Sequence, residues 1–289
     1  MTTMTMASQL RALLSEDDMV LAPGVYDGLS ARIVEDAGFA ALYCSGGAVA
    51  RSSGVPDLGL LTMTEVLARL REITDAVELP VIADADTGYG NALNMRRTVQ
   101  EFERLNVAGI QIEDQVTPKK CGHYDAKALI STDEMLGKIT AACDARACGT
   151  VLIVRTDAIA VDGLDSALER GRRYVDAGAD VLFLEAPETR EEIERIAAEL
   201  GDTPLLINMF EGGRTPLVPA QELATLGYKI MIAPSDLQRA AIHAMQSAAR
   251  VLREEGSTVA LSSQMATFSA RDELIHLGRW KELEQRYAG

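Results

Sequence analysis

Eight short apolar runs recur along this chain, and a longer stretch of helical periodicity separates each from the next. The runs cover 20–23, 41–44, 81–83, 109–112, 151–154, 181–184, 205–207 and 230–233. Most are continuously apolar rather than alternating, as strands are when both faces of a parallel sheet are covered. The segments between them predict helices over 29–37, 64–76, 91–105, 131–147, 164–177, 190–200 and 219–226. Many of these run into a glycine, at Gly38, Gly149, Gly178, Gly201 and Gly227, which is where a helix stops. Eight such units imply an α/β fold, a closed (β/α)8 TIM-type barrel. An open doubly wound sheet would usually have fewer strands and a glycine-rich first turn, and no GxGxxG occurs.

Two further helices are predicted over 235–255 and 270–287, and one barrel helix uses only part of that length. Ile275, Leu277, Trp280 and Leu283 recur near helical spacing and need an apolar surface. The expectation is one barrel domain over 1–289, with 235–289 as a helical tail packing on a partner subunit.

Composition narrows the class of partner. Twenty-eight basic against 43 acidic residues give a net charge of −15, which repels a phosphate backbone, so nucleic acid is not expected. An anionic ligand would then need local positive charge from arginines or a metal ion. Cys44, Cys121, Cys143 and Cys148 show neither a disulfide framework nor zinc-ribbon spacing. No run reaches 18 apolar residues, so no membrane partner is expected, and a reducing, cytoplasmic setting is the default.

In a barrel of this kind the site collects at the C-terminal ends of the strands. Reading just beyond each run gives Ser45-Gly46-Gly47, Asp84 with Asp86, Glu113 with Asp114, Arg155 with Asp157, Glu185, and Asn208. One charged strand end is ordinary, but converging carboxylates repel one another unless a cation joins them. Hard oxygen donors favour Mg²⁺, with Mn²⁺ as the alternative. Asp84 and Asp86, two apart at a strand end, should share a face, with Asp57 and Glu113 as companions. The alternative is that one of them simply caps the next helix, which Thr87 or Asn91 could do equally well.

The polar loop from Glu113 to His123 is the most distinctive segment. It sets the Cys121 thiol beside Lys119, Lys120 and His123, and nearby cations favour thiolate. A proton donor on a loop above an acidic ring is the expectation, with Gly88, Gly90 and Gly122 letting loops close and exclude water. Cys44 should pack in the barrel, and the acidic run 191–199 reads as a solvated helix face.

Taken together, SGG, PDLG, DADTGYGN, IEDQ, KKCGH, VRTDA and NMFEGGRTP resemble the isocitrate lyase/phosphoenolpyruvate mutase superfamily over essentially the whole chain. KKCGH after IEDQ resembles its carbon–carbon lyases, of the 2-methylisocitrate and 2,3-dimethylmalate type. The resemblance implies a barrel whose last helix is exchanged between partners, usually in a homotetramer. It also implies Mg²⁺ bound by Asp84, with Asp57, Asp86 and Glu113 holding it directly or through water. Ser45, Gly46 and Gly47 would cradle the 2-oxo-acid end of the substrate, and Arg155 would pair its carboxylate. Cys121 would be the catalytic acid, in a mobile loop with Lys119 and His123. Glu185, Asn208 and Gly122 would line the pocket, Arg239 and Arg271 would receive extra carboxylates, and Tyr43 is the candidate for taking the hydroxyl proton. The implied reaction cleaves a 2-hydroxy di- or tricarboxylate to pyruvate or a related 2-oxo acid plus a carboxylic acid. The alternatives on this scaffold are a phosphonopyruvate or carboxyphosphonoenolpyruvate mutase and an oxaloacetate hydrolase or decarboxylase. Pro234 stands where such hydrolases carry a serine, which disfavours that branch.

Overall fold

The structure is a computed structural model that describes residues 4–122 and 126–288. Its strands are β1 (Val20–Val25), β2 (Leu42–Cys44), β3 (Val81–Asp84), β4 (Gly109–Glu113), β5 (Val151–Thr156), β6 (Val181–Leu184), β7 (Leu205–Asn208) and β8 (Tyr228–Ala233). They run parallel in chain order, and β8 pairs with β1 to close the ring. The expected (β/α)8 barrel is what the chain forms. Several strands run one or two residues further than their apolar stretch, because a buried Asp84, Glu113, Arg155 or Asn208 continues the ladder.

The helices are α1 (Met6–Ser15), α2 (Gly28–Asp36), α3 (Gly46–Ser52), α4 (Met63–Ala76), α5 (Ala92–Glu103), α6 (Thr132–Ala145) and α7 (Ile159–Asp162). They continue with α8 (Leu164–Asp176), α9 (Arg190–Leu200), α10 (Ala220–Leu226), α11 (Asp236–Glu255), α12 (Phe268–Leu274) and α13 (Leu277–Tyr287). Their starts are set by local chemistry. Capping boxes form at Asp27 with Ser30, Thr62 with Glu65, and Asn91 with Asn94, and Ser131 and Thr189 cap α6 and α9. Each satisfies amides that the first turn leaves unpaired.

Apolar packing forms two layers. One fills the space between strands and helices, with Leu70, Phe102, Met95, Ile139, Tyr174 and Ile193 fully buried. The other fills the barrel interior with Ile82, Ile153, Phe183, Leu206 and Ile230, joined from below by Leu10 of α1 at 0% exposure. A Cβ on Gly109, the first residue of β4, would lie 3.1 Å from the Leu10 side chain, so α1 closes the N-terminal foot of the barrel. Arg11 pins it by donating to the Gly149 carbonyl at 2.7 Å, and Lys229 donates to the Glu16 carbonyl at 2.6 Å. Sequence periodicity missed α1 and the short α3.

The tail differs from expectation in one respect. The helix expected over 270–287 is broken into α12 and α13, with His276 between them at φ +53°. Among the tail helices only Gln238 is buried, and Met245, Leu252, Phe268, Trp280 and Tyr287 stand exposed. No helix among the described residues is long and apolar enough to cross a membrane.

Candidate active site

A cavity of about 210 Å³ opens at the C-terminal mouth of the barrel. Its walls include Tyr43, Ser45, Gly47, Asp57, Asp84, Lys119, Cys121, Gly122, Arg155, Glu185 and Asn208, with Arg51, Phe210, Ile232, Pro234 and Ser235. The space suits a small molecule rather than a drug-sized ligand.

The acidic side of this pocket is built by two turns. Beyond β3 the chain enters left-handed backbone at Asp86 (φ +48°), Gly88, Tyr89 (φ +58°) and Gly90, a conformation costing on the order of 1 kcal/mol at a non-glycine residue. Asp86 therefore belongs to a turn, not to a strand as the two-residue spacing suggested. It is the turn that brings it toward Asp84, whose Oδ1 accepts from the Asp86 amide at 3.0 Å. A Cβ on Gly46 would fall 2.8 Å from Asp84 Oδ2 and 3.4 Å from Asp86 Oδ1, so both carboxylates face that glycine. A Cβ on Gly47 would fall 2.7 Å from Asp57 Oδ2. The helix start at Ser45 can approach this cluster only because both positions lack side chains.

Lys119 lies at the centre of the cluster, 6% exposed, with Nζ 2.6 Å from Asp57 Oδ1 and 2.9 Å from Asp86 Oδ1. Burial opposes its charge, but Asp86, Glu113, Asp57 and Asp84 outweigh this and hold the ammonium well above its ordinary pKa. Burial pushes the Asp86 carboxyl up to about 6 against the pull of Lys119.

Arg155 anchors the opposite side. Its guanidinium forks onto Asp157 with two 2.9 Å hydrogen bonds. It also lies 3.4 Å from both Glu113 Oε2 and Glu185 Oε2 and packs over Phe183. Burial disfavours its charge, yet Asp157, Glu185 and Glu113 more than compensate. Asp157 in turn accepts from Lys127 Nζ at 2.8 Å, and Lys127 donates to the Gly122 carbonyl at 2.6 Å. Beneath them, buried Asp114 gathers Thr156 Oγ1, the Asp157 amide, Arg170 and the Tyr174 hydroxyl.

The Cys121 segment is docked across this mouth. The Cys121 amide donates to the Asp57 carbonyl at 3.3 Å, and Gln115 closes a double hydrogen bond onto the Lys120 backbone. Thr87 and Thr117 hydroxyls meet at 2.7 Å. A Cβ on Gly122 would lie 2.4 Å from Arg155 Nη2, so glycine lets the flap touch the arginine. Lys120 Nζ points elsewhere, onto the Ala126 carbonyl, and His123 lies outside the described residues. Cys44 is buried as expected, and burial pushes its thiol up to about 12, so it is chemically silent.

Three expectations change. Within one chain, Arg239 and Arg271 lie outside the pocket's lining. Arg239 pairs with Glu211 and Asp236 and stacks on Phe210, and Arg271 pairs with Asp272 and stacks on Phe268; both are exposed. Tyr43 lines the pocket and stands there as a hydrogen-bond donor. Burial and the nearby Asp84 raise its pKa far above neutrality, and its hydroxyl donates to Gln111 Oε1 at 2.7 Å. Finally, among the described residues no three His, Cys, Asp or Glu side chains converge closely enough to hold a metal directly, because Lys119 stands between Asp57 and Asp86.

The donor set nonetheless fits Mg²⁺, which usually takes one or two protein carboxylates and keeps several waters. Burial pushes Glu113 well above the ordinary carboxyl range; Arg155 pulls against this, while Asp157 and Asp84 add to it. Its Oε1 has no hydrogen-bond partner. A buried carboxyl oxygen left in that state is one that a hydrated divalent cation satisfies.

Sequence reading missed Arg51, Gln111 and Lys127. Gln111 is buried inside the barrel and joins Tyr43 to Asp84 Oδ1; a polar residue inside the apolar run 109–112 was the available signal.

Residues 10–253 match the family model described as phosphoenolpyruvate phosphomutase. The chain is 47% identical over 288 residues to 2,3-dimethylmalate lyase of Eubacterium barkeri, covering 99% of each chain. It is 44% identical over 279 residues to 2-methylisocitrate lyase of Aeropyrum pernix, covering 96% of this chain and 89% of the relative. Its fold matches a crystal structure of 2,3-dimethylmalate lyase, a PEP mutase/isocitrate lyase superfamily member. The TM-score is 0.94 at 39% identity, covering 99% of this chain and 97% of that one. The chain therefore belongs to the phosphoenolpyruvate phosphomutase family, among the enzymes of the PEP mutase/isocitrate lyase superfamily.

Proposed function

We propose that the protein is a Mg²⁺-dependent carbon–carbon lyase acting on a 2-hydroxy di- or tricarboxylate of the 2,3-dimethylmalate or 2-methylisocitrate type. Its products would be pyruvate, or a related 2-oxo acid, and a second carboxylic acid. The observation that carries this reading is one small pocket lined at once by the Cys121 flap, Arg155 and Asp84. Asp84, with Asp57, Asp86 and Glu113 directly or through water, would hold Mg²⁺, which would supply charge neutralisation to the bound hydroxy acid. Arg155, fixed by Asp157, pairs a carboxylate in bidentate fashion. Ser45, Gly46 and Gly47 bring helix α3's start against the 2-oxo-acid end, and Glu185 and Asn208 complete the wall. The substrate's hydroxyl proton leaves to a pocket base, and the C–O bond becomes the 2-oxo group as the carbon–carbon bond breaks. The electron pair left on the carbon of the departing acid takes a proton from the Cys121 thiol, whose thiolate then regains the proton held by that base. Lys119 supports the thiol's segment through Asp57 and Asp86, and His123 is assigned to the same flap.

A proton donor on the flap favours a lyase over a mutase, since moving a phosphoryl group between carbon and oxygen of one molecule needs no proton delivered to carbon. Pro234 brings no hydroxyl to the pocket, and the neighbouring Ser235 hydroxyl is engaged by Arg51, which disfavours the hydrolase alternative. Purified protein with Mg²⁺ and racemic 2,3-dimethylmalate or 2-methylisocitrate should release pyruvate, read as NADH loss through a coupling dehydrogenase. No pyruvate from either substrate would refute the proposal. Cys121→Ser should abolish turnover while oxalate still binds, and full activity in that variant would remove the thiol from its role.

We further propose a homotetramer in which the 235–289 tail is exchanged between subunits of a single-domain barrel. Its support is the exposure of Phe268, Trp280 and Tyr287 at 66–76%, more apolar surface than an isolated tail leaves in water. Light scattering that gave a monomer would refute this.

A further inference from the structure

One cation at the mouth of the barrel has no part in the chemistry described so far. Lys119 and Arg155 are each neutralised by two or more carboxylates. Arg51, in the last turn of α3, is held by neutral groups. Its Nε donates to Gln238 Oε1 at 2.7 Å and its Nη2 to Ser235 Oγ at 3.2 Å, and among the described residues no carboxylate stands in ion-pair range of it. Gln238 is 5% exposed, and its Nε2 donates to the Ala48 carbonyl at 2.8 Å. That bond fixes which way the amide points, so its oxygen faces Arg51. Ser235 precedes α11 and makes no side-chain bond to its own helix, leaving its oxygen to the guanidinium.

Arg51 is thus oriented without a direct carboxylate partner among the described residues. Of its five N–H donors, both on Nη1 and one on Nη2 remain for a ligand, and one from each nitrogen makes the side-by-side pair that meets a carboxylate in fork geometry. Its position is equally specific. Its own helix follows β2 and its tethers follow β8, which places it over the β1 side of the ring. Arg155, on β5, is four strands away in the closed order. Gly47 lies between Arg51 and the acidic cluster: a Cβ there would come within 3.2 Å of Arg51 Nη1 and 2.7 Å of Asp57 Oδ2. The missing side chain leaves that passage open.

We propose that Arg51 is the receptor for a second carboxylate, so that the pocket selects 2-hydroxy acids bearing an anionic group at each end over 2-hydroxy monocarboxylates. This rests on the lyase reading for its substrate and replaces the expectation that Arg239 and Arg271 serve that end. Two arms test it. In kinetics with 2,3-dimethylmalate, Arg51→Met should raise KM at least tenfold, with the loss carried by KM more than by kcat. Inhibition by oxalate, which is too short to span the pocket, should be unchanged, and Arg51→Lys should recover part of the affinity. An unchanged KM, or oxalate weakened as much as substrate, would overturn the assignment, the second result marking a merely structural role. The other arm needs no turnover. With Mg²⁺ present, malate should stabilise the wild-type protein against heat more than lactate does, and Arg51→Met should erase that difference. A wild type that makes no pyruvate but keeps the malate preference would sink the lyase reading and leave Arg51 assigned. A wild type with no preference for malate would sink the assignment.

Discussion

Replacing Lys127 by Met should loosen the flap and weaken the barrel by separable amounts. Lys127 is buried and makes two charge-assisted hydrogen bonds, to the Gly122 carbonyl at 2.6 Å and to Asp157 Oδ1 at 2.8 Å. Such bonds are worth about 1.5–3 kcal/mol each. Asp157 keeps both bonds from Arg155, so the variant strands no buried carboxylate, and Met retains most of the aliphatic packing. Loss at Asp157 falls on global stability and should lower the urea-unfolding free energy by about 2 kcal/mol. Loss at Gly122 falls on the flap alone, and at about 1.4 kcal/mol per tenfold it should raise the open population roughly tenfold or more. The assay is alkylation of Cys121 followed by peptide mass spectrometry, with exposed Cys148 as the internal reference. Cys121 should react roughly tenfold faster relative to Cys148 in the variant, in the absence of substrate. Equal relative rates, with the urea midpoint unmoved, would refute the idea that this lysine latches the flap.

Gly122→Ala places a Cβ 2.4 Å from Arg155 Nη2 and 2.9 Å from the Glu185 side chain; turnover should fall more than tenfold while the melting temperature moves by only a few degrees. Acid stability should follow Asp157. Burial works against its charge, but Arg155 and Lys127 more than offset this and hold its pKa below the ordinary 3.8. A depressed carboxyl contributes stability above its unfolded pKa and loses it as the pH falls toward the folded value. Urea midpoints should therefore decline below about pH 4, and less steeply in Lys127→Met; parallel declines would contradict the linkage.

The barrel was legible because its strands are covered on both faces and so read as uninterrupted apolar runs, most of them closed by a polar residue that then proves to face the mouth. Asp84, Glu113, Arg155, Glu185 and Asn208 were found that way. What could not be read lies where contact, not periodicity, decides. Arg51 sits in a seven-residue helix too short to show a pattern, and its partners Ser235 and Gln238 are more than 180 positions away. Lys127 carries no signal in the sequence; only the fold sets it between Asp157 and the Gly122 carbonyl. The convergence of Asp84 and Asp86 was anticipated for the wrong reason, since a left-handed turn rather than strand alternation aims them. Arg239 and Arg271 were expected in the pocket from the family resemblance, and within one chain they pair with nearby carboxylates and aromatic rings instead.

The packed interior of the ring, with Leu10 and its helix beneath it, makes the reaction chamber a blind well. Whatever enters must leave by the same opening, past the same flap. A reaction that turns one molecule into two in such a well must discharge its products in sequence, the one nearer the entrance departing first. The deeper product, still gripped, would then act as an inhibitor competing with fresh substrate.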